Sequence, residues 1–180
     1  MGARARGLIL VGAAAAFVGG STGSAAAAGT APAPKLSYSN VQLQKVWSGT
    51  HSMCWSLDGS KSSGAVLKIR GCAKKSSSAA KTQTFTLNLV DSSRRLFVIK
   101  NKLSGKCLYA SSKKVGTTVK QTACNSRSSA QRWAIGNSKF YNKASNLVIT
   151  APKDASGTKL TFTKASDSKD YQQRFDIRGH

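Results

Sequence analysis

A Gln-x-aromatic tripeptide occurs three times in this chain, first as QTF, then as QRW and finally as QRF. The Gln residues stand at positions 83, 131 and 173, so successive copies are 48 and 42 residues apart. A period of about 20–50 residues is typical of a repeated supersecondary unit. The spacing therefore predicts three copies of one unit of about 45 residues.

The pattern within each copy is that of β-strands. The segments VLKIR, TVKQT and KLTFT alternate apolar and polar residues, and a Gly-containing polar cluster precedes each of them as a turn. No amphipathic helix pattern occurs after residue 40, and the Ser-rich stretches 74–81 and 125–130 are predicted to be loops. Three copies of four strands predict an all-β fold of about twelve short strands.

Four cysteines follow the same period, and an even number in an exported chain predicts two disulfides. They are Cys54, Cys72, Cys107 and Cys124. Three connectivities are possible, but the separations of 18 and 17 residues favour the pairings of Cys54 with Cys72 and of Cys107 with Cys124. Zinc binding is not favoured, because no close Cys pair and no neighbouring His is present.

The third copy keeps the spacing of the other two but has neither cysteine. A Gly lies eight residues before the second Cys in the first two copies, and Gly157 lies eight residues before Ala165 in the third. Leu147 aligns with the first Cys position. The loss of both cysteines together is expected if each pair forms a bridge within its own repeat.

Residues 1–28 have the order of a secretory signal peptide. Arg4 and Arg6 precede an apolar run, and small residues with an Ala-x-Ala pattern follow it. The alternative is a membrane anchor, but the run is shorter than the ~20 residues that cross a bilayer. We expect a secreted protein with no membrane span, a short leader at 29–42 and one folded domain at 43–178.

The chain is strongly basic, with 28 Lys and Arg against 6 acidic residues, all of them Asp, and a net charge of +22. Such a surface attracts polyanions, including nucleic acid, sulfated or uronic polysaccharide, phosphate-rich wall polymer and acidic lipid. The alternative is a solubility role without a dedicated partner, since the lysines are scattered. Binding to nucleic acid would be non-specific and sensitive to salt.

The sequence contains no motif for catalysis. Most of the aspartates lie in turn-like segments, and they form no paired-carboxylate motif. The sequence contains no nucleophile-elbow motif whose serine could pair with His51 or His180. No phosphate loop, dinucleotide motif or metal-ligand cluster is present in the sequence. We therefore expect a protein that is not an enzyme and that has no cofactor and no metal site.

The second copy contains Cys-Leu, Gly-Thr-x-Val, Cys-Asn and Gln-x-Trp in that order, and it resembles the ricin B-type lectin repeat. The resemblance covers about residues 43–177 and implies a β-trefoil, a fold of three pseudosymmetric repeats. It also implies that the aromatic of each tripeptide enters the core and that the Gln fixes the repeat. The residues at these structural positions are Gln83, Phe85, Gln131, Trp133, Gln173 and Phe175.

Each sugar pocket of that family has an Asp two residues after the first Cys, an aromatic two residues before the second, and often an Asn before the Gln. This chain has Ser56, Tyr109 and Ile149 at the Asp positions, Arg70, Thr122 and Thr163 at the aromatic positions, and Thr82, Ala130 and Gln172 at the Asn positions. No copy keeps the Asp or the aromatic, so the resemblance implies a binding module whose sugar sites are degenerate.

Two functions follow from this departure. The first is a carbohydrate-binding module that holds glycan through altered groups, with candidate ligand residues Tyr109, Lys120, Gln121, Asn125 and Gln172. The alternative is a cationic effector that binds anionic polysaccharide or another polyanion, through Lys74, Lys75, Lys113, Lys114 and Lys120. Tyr109 could instead fill a vacated pocket, and Gln172 could be structural. A trefoil protease inhibitor is a third class, for which no loop stands out, and no oligomeric state is predicted.

Overall fold

The computed structural model describes residues 37–47, 49 and 51–179. The predicted signal peptide and the first residues of the predicted leader lie outside this part of the chain. The strands are β1 (Ser37–Lys45), β2 (Met53–Ser56), β3 (Lys68–Gly71), β4 (Phe85–Asp91), β5 (Leu96–Asn101), β6 (Cys107–Ala110), β7 (Val119–Thr122), β8 (Arg132–Gly136), β9 (Lys139–Asn142), β10 (Val148–Thr150), β11 (Thr161–Thr163) and β12 (Phe175–Gly179). Strand β1 thus begins within the predicted leader.

Each repeat contributes four strands, and all their pairings are antiparallel. The first and fourth strands form a ring through the pairs β1–β4, β4–β5, β5–β8, β8–β9 and β12–β1. The Phe175 N–H completes the ring by donating to the Ser138 carbonyl at 2.8 Å. The second and third strands form the hairpins β2–β3, β6–β7 and β10–β11. This architecture confirms the expected all-β trefoil of three repeats.

The three hairpins are joined by a closed triangle of main-chain hydrogen bonds. Leu67 N–H donates to the Val119 carbonyl, Val119 N–H to the Leu160 carbonyl, and Leu160 N–H to the Leu67 carbonyl, each at 2.9 Å. Every hairpin gives one donor to one neighbour and one acceptor to the other, so the triangle closes with three copies. The three side chains are fully buried and form the centre of the core.

The repeated glycines lie three or four residues before the third strand of each repeat. Gly64, Gly116 and Gly157 have φ values of +87°, +82° and +89°, a backbone region that side chains rarely adopt. Each of their N–H groups donates to a carbonyl of a neighbouring hairpin, at 2.7 to 2.8 Å. The turn geometry therefore explains why a Gly recurs eight residues before the second Cys position.

The aromatic residues of the three tripeptides lie in the core. Phe85, Trp133 and Phe175 are at most 1% exposed. Trp55 packs edge-on against two of them, with ring centroids 6.3 Å from Phe85 and 5.2 Å from Phe175. The indole N–H of Trp133 donates to the Leu108 carbonyl at 3.3 Å. Each tripeptide thus contributes one ring to a shared interior.

Each Gln of the tripeptides holds the main chain on both sides of the second Cys position, in a pair of bonds that we call the glutamine clamp. Its side chain accepts a hydrogen bond from the N–H of the following residue and donates one to the carbonyl of the preceding residue. The sets are Gln83 with Ala73 and Gly71, Gln131 with Asn125 and Ala123, and Gln173 with Ser166 and Lys164, at 2.7 to 3.0 Å. All three Gln residues are buried.

Two disulfides lie within the first and second repeats. Cys54 is bonded to Cys72 and Cys107 to Cys124, the pairing that the spacing favours. In each case the bridge joins the second strand of the repeat to the residue held by the glutamine clamp. The third repeat has Ala165 at that position and keeps the clamp without a bridge.

The strand register corrects the alignment of the third copy by one residue. Val148, rather than Leu147, occupies the first Cys position. It pairs with Thr163, two residues before the second Cys position, just as Cys54 pairs with Arg70 and Cys107 with Thr122. Ile149 therefore points into the core and is fully buried, and Thr150 takes the Asp position. A shift of one residue moves a side chain to the other face of a strand, and no Cys fixed the alignment here.

The stretches 74–81 and 125–130 were predicted to be loops, and this prediction is wrong for the last two residues of each. The chain makes a single helical turn at α1 (Ala80–Gln83), at the 3-10 helix Ser129–Gln131 and at α2 (Asp170–Gln173). Each turn ends on the clamp Gln. One turn is too short to produce a helical period in the sequence, so the pattern could not predict it.

We expect the Gln173→Ala substitution to lower the free energy of unfolding by about 1–3 kcal/mol, because it leaves two main-chain groups without partners. Gln131→Ala should cost less, since the Cys107–Cys124 disulfide still holds the same segment of its repeat. Urea unfolding followed by tryptophan fluorescence measures both costs.

The double variant Cys107→Ala/Cys124→Ala is the control for this comparison. On that background Gln131→Ala should cost about as much as Gln173→Ala does in the unmodified chain. If the cost of Gln131→Ala is the same with and without the disulfide, the clamp and the bridge do not support the same segment.

Candidate functional site

The first repeat has an open cleft between its β2–β3 hairpin and residues 73–82, with a volume of about 740 Å³, which we call the first-repeat cleft. It brings together Ser56, Arg70 and Thr82, the positions that correspond to the Asp, the aromatic and the Asn of the resembling family. Among the described residues that line it, none is aromatic. The cleft therefore lies in the expected place but offers different chemistry.

Asp58 supplies a carboxylate that the sequence analysis did not assign to the site. It accepts two hydrogen bonds from Arg70, from Nε at 2.8 Å and from Nη2 at 2.7 Å. Lys68 Nζ donates to the same carboxylate at 2.8 Å. The Arg70 hydrogen bonds, followed by those from Lys68, hold the pKa of Asp58 far below its usual value, although partial burial opposes them. Asp58 stays ionised and engaged with its cations.

Hydroxyl groups connect the two sides of the first-repeat cleft, the β2–β3 hairpin and residues 73–82. The Ser56 hydroxyl accepts a hydrogen bond from the Asp58 N–H at 3.1 Å and shares another with the Thr82 hydroxyl at 3.2 Å. Lys74 lines the rim and adds a further positive charge. Because its carboxylate is shared between Arg70 and Lys68, the cleft has a net positive charge and offers mainly hydrogen-bond donors.

In the second repeat, Tyr109 and Lys120 face each other across the β6–β7 hairpin. Both are half-buried and lie on the outer face of the hairpin, since Leu108 and Val119 point into the core. The outer face of this repeat thus presents one ring beside one ammonium group.

Gln121 is not available to a ligand, which corrects its assignment as a candidate ligand residue. Its side chain is fully buried on the core side of β7. The amide donates to the Ser60 and Ser62 carbonyls at 2.8 and 3.0 Å, and its oxygen accepts from the Ser104 hydroxyl at 2.6 Å. These bonds join the first and second repeats, so Gln121 is structural.

The remaining candidates lie apart from one another. Asn125 is exposed, and its side-chain oxygen accepts from the Arg127 N–H at 3.0 Å. Gln172 is half-buried in the third repeat, where its amide donates to the Pro152 carbonyl at 3.2 Å and to the Tyr171 hydroxyl at 3.1 Å. The five candidate ligand residues therefore do not form one site.

All six carboxylates of the chain are engaged in ion pairs. The pairs are Asp58 with Lys68 and Arg70, Asp91 with Arg94, Asp154 with Lys45, Asp167 with Lys139, Asp170 with Lys139 and Arg174, and Asp176 with Arg178. Most lysines are left over, including the exposed Lys74, Lys75, Lys113 and Lys114. The surplus positive charge is thus available to solvent.

A second cleft, with a volume of about 550 Å³, lies beside α1 and contains Lys75, Lys81 and Lys102. Lys102 Nζ donates to the Asn40 side-chain oxygen at 2.9 Å. We call this the lysine cleft. Across the described residues, no set of three His, Cys, Asp or Glu is arranged to hold a metal ion, and none of the helices could span a membrane.

A family model described as the ricin-type beta-trefoil lectin domain matches residues 40–175. The match spans most of the chain. This protein belongs to the ricin-type β-trefoil lectin family. No curated protein sequence shows a significant match to this lectin chain.

Solved structures share the fold of this ricin-type lectin domain. The designed three-fold symmetric protein ThreeFoil matches with a TM-score of 0.62 at 19% identity, over 78% of this chain and 98% of that one. The C-half of the earthworm R-type lectin, in complex with GalNAc, matches with a TM-score of 0.58 at 14% identity, over 78% and 99%.

A non-toxic homologue of type II RIPs from Momordica charantia, in complex with α-methyl-D-galactoside, has a TM-score of 0.61 at 21% identity. The match covers 81% of this chain and 49% of that chain. At these identities the likenesses show the fold alone.

The lowered pKa of Asp58 predicts how stability responds to acid. A carboxyl group with a depressed pKa stabilises the folded state above its unfolded value, here 3.8, and loses that contribution as the pH falls through the folded value. The Asp58→Asn variant should therefore show a smaller fall in Tm below about pH 4 than the unmodified chain. Thermal unfolding at several pH values measures the difference. Parallel Tm curves for the two proteins would contradict the prediction.

Proposed function

We propose that this protein is a secreted, non-enzymatic carbohydrate-binding protein whose sugar sites depart from those of its family. Membership of the ricin-type lectin family supports carbohydrate binding. The observation that carries the proposal is the first-repeat cleft, which lies at the family's pocket position and is lined by the donors Arg70 and Lys74 and the hydroxyl of Thr82.

The charge of this cleft selects the class of sugar. A neutral sugar in a family pocket bonds to a carboxylate that is free to accept, whereas Asp58 is occupied by Arg70 and Lys68. Charged donors form their strongest hydrogen bonds with carboxylate or sulfate oxygens. We therefore expect the first-repeat cleft to prefer an acidic sugar, such as a uronic or sulfated residue of an anionic polysaccharide.

The outer faces of the second and third repeats are weaker candidates for sugar binding than the first-repeat cleft. The Thr150 and Thr163 hydroxyls of the third repeat bond to each other at 2.7 Å, so each has fewer groups to offer a sugar. In the second repeat Tyr109 and Lys120 lie side by side without a carboxylate of their own. This arrangement supports the proposal that the family's neutral-sugar pockets are degenerate in this chain.

Secretion and the lack of catalysis are part of the same proposal. The two disulfides and the lectin domain are consistent with an extracellular protein, and the N-terminal sequence has the order of a signal peptide. The sequence has no paired-carboxylate motif for glycoside hydrolysis, which supports binding without hydrolysis of the glycan.

A glycan array carrying neutral and acidic sugars tests the proposal. The unmodified chain should bind acidic glycans, and Arg70→Ala should weaken that binding by about tenfold, because it removes a donor and releases the Asp58 carboxylate. Lys113→Ala, which removes one positive charge away from the cleft, is the matched control and should bind as before. Absence of binding to any glycan would overturn the proposed function.

A second candidate function is the capture of polyanions by the basic surface as a whole. The lysine cleft favours it, because Lys75, Lys81 and Lys102 converge there, and all six carboxylates are held in ion pairs with other cations. Such binding needs no sugar pocket and would include nucleic acid without sequence preference.

Heparin affinity at several salt concentrations tests this second function. The triple variant Lys75→Ser/Lys81→Ser/Lys102→Ser should reduce the slope of log K against log salt by about 2–3, because each lost phosphate or sulfate contact releases fewer counterions. The variant Lys61→Ser/Lys143→Ser/Lys164→Ser removes the same charge from other exposed positions. Equal losses in the two variants would mean that charge alone, and not the lysine cleft, binds the polymer.

A further inference from the structure

Among the residues that the structure describes, two large aromatic side chains are exposed, whereas most of the rings are buried. Trp47 is 47% exposed and Tyr171 is 52% exposed, whereas Trp55 and Trp133 are fully buried. Trp47 follows strand β1, and Tyr171 lies in the helical turn α2, more than 120 residues further along the chain. Neither ring belongs to the first-repeat cleft, and neither occupies a family pocket position.

A buried ammonium group joins these two residues. Lys45 is 2% exposed, and its Nζ donates to the Trp47 carbonyl. The same Nζ lies 3.0 Å from the Asp154 carboxylate and 5.9 Å from the centre of the Tyr171 ring. A buried charge is costly unless its surroundings compensate it, so these three groups fix one another in place.

A second cation holds the Trp47 ring. The guanidinium of Arg174 lies 5.2 Å from the ring centre, and its Nη1 bonds to the Asp170 carboxylate at 3.2 Å. Cations over aromatic faces are attracted by the ring quadrupole, which restricts how the ring turns. Trp47 and Tyr171 are thus exposed but held, unlike surface rings that move freely.

Polar groups suited to sugar hydroxyls flank the two rings. The Asp154 side chain is 40% exposed, so its carboxylate can still accept hydrogen bonds while paired with Lys45. The Gln172 amide follows Tyr171 and bonds to its hydroxyl at 3.1 Å. Small-ligand sites combine apolar, often aromatic, surface with a few fixed polar groups, and this cluster has that composition.

We infer that Trp47 and Tyr171 form a platform on which a pyranose ring stacks, with Asp154 and Gln172 bonding to its hydroxyls. The inference rests on the proposed carbohydrate-binding function and adds to it a site between the first and third repeats. The occupant is a neutral sugar, because the platform's own charges are paired internally. Stacking and hydrogen bonds to the uncharged hydroxyls of a sugar depend little on ionic strength, so this binding resists salt.

A glycan array read at high salt, with single variants at the two rings, tests the platform. The unmodified chain should retain at least one neutral glycan, and Trp47→Ala and Tyr171→Ala should each weaken it by about tenfold. Val115→Ala is the matched control, since Val115 is an exposed hydrophobic residue outside the cluster. Trp47→Phe keeps a ring and should retain part of the binding, and unchanged Tm values exclude a folding defect.

Acrylamide quenching of tryptophan fluorescence gives a direct readout of the same site. Of the three Trp residues, Trp47 is the exposed one, so it accounts for most of the quenching in the free protein. The neutral glycan with the strongest array signal, added in soluble form, should protect it. Trp47→Ala should remove both the quenching and the protection.

The outcomes separate the two proposals. Neutral binding that persists in Trp47→Ala and Tyr171→Ala overturns the platform and leaves the proposed function standing. Acidic glycans bound only at low salt, with no neutral glycan at high salt, also overturn the platform while keeping the first-repeat cleft. No binding to any glycan overturns both.

Discussion

The structure depends on the triangle of hydrogen bonds between Leu67, Val119 and Leu160. Each bond lies between two different repeats, so no hairpin can satisfy its own groups and a single repeat would leave buried main-chain groups unpaired. The glycines that precede the third strands supply the backbone conformation in which their own N–H groups bond to a neighbouring hairpin. Once the triangle is closed, the inner face of each hairpin is committed to the core. Within each hairpin, only the outer face is left free to bind.

The Gln-x-aromatic tripeptide separates the structural role of each repeat from its binding role. The aromatic packs in the core, while the Gln holds the segment around the second Cys position from behind. Neither side chain reaches the outer face of the hairpin, so residues there can change without loss of the fold. The first-repeat cleft illustrates the consequence, because Arg70 replaces an aromatic ring and is balanced by Asp58. The residues that hold the fold together therefore do not indicate which ligand is bound.

Much of the fold could be predicted from the sequence, because the period, the glycines and the cysteine spacing are local signals. The candidate site was less predictable. Ile149 was placed one residue out of register because the third repeat has no Cys to align it, and Gln121 shares the inner face of β7 with Val119. Alternation along β7 could have identified Gln121 as a core-side residue. Asp58 lies in the turn after β2 and Arg70 in β3, and no sequence signal marks their pairing.

The proposed platform also shows why repeat symmetry cannot locate every site in such a protein. The first-repeat cleft lies within one repeat, so comparing the three copies leads directly to it. Trp47 follows β1 and Tyr171 precedes β12, so both lie at the junction where these two strands pair and the first and last repeats close the barrel. The equivalent junctions of the other repeats pair Asn101 with Phe85 and Asn142 with Trp133, whereas this one pairs Lys45 with Phe175. The side chain differs rather than the backbone, and the buried charge of Lys45 requires partners from residues 47 and 154 and from α2. The proposed neutral-sugar site therefore lies between two repeats rather than within one of them.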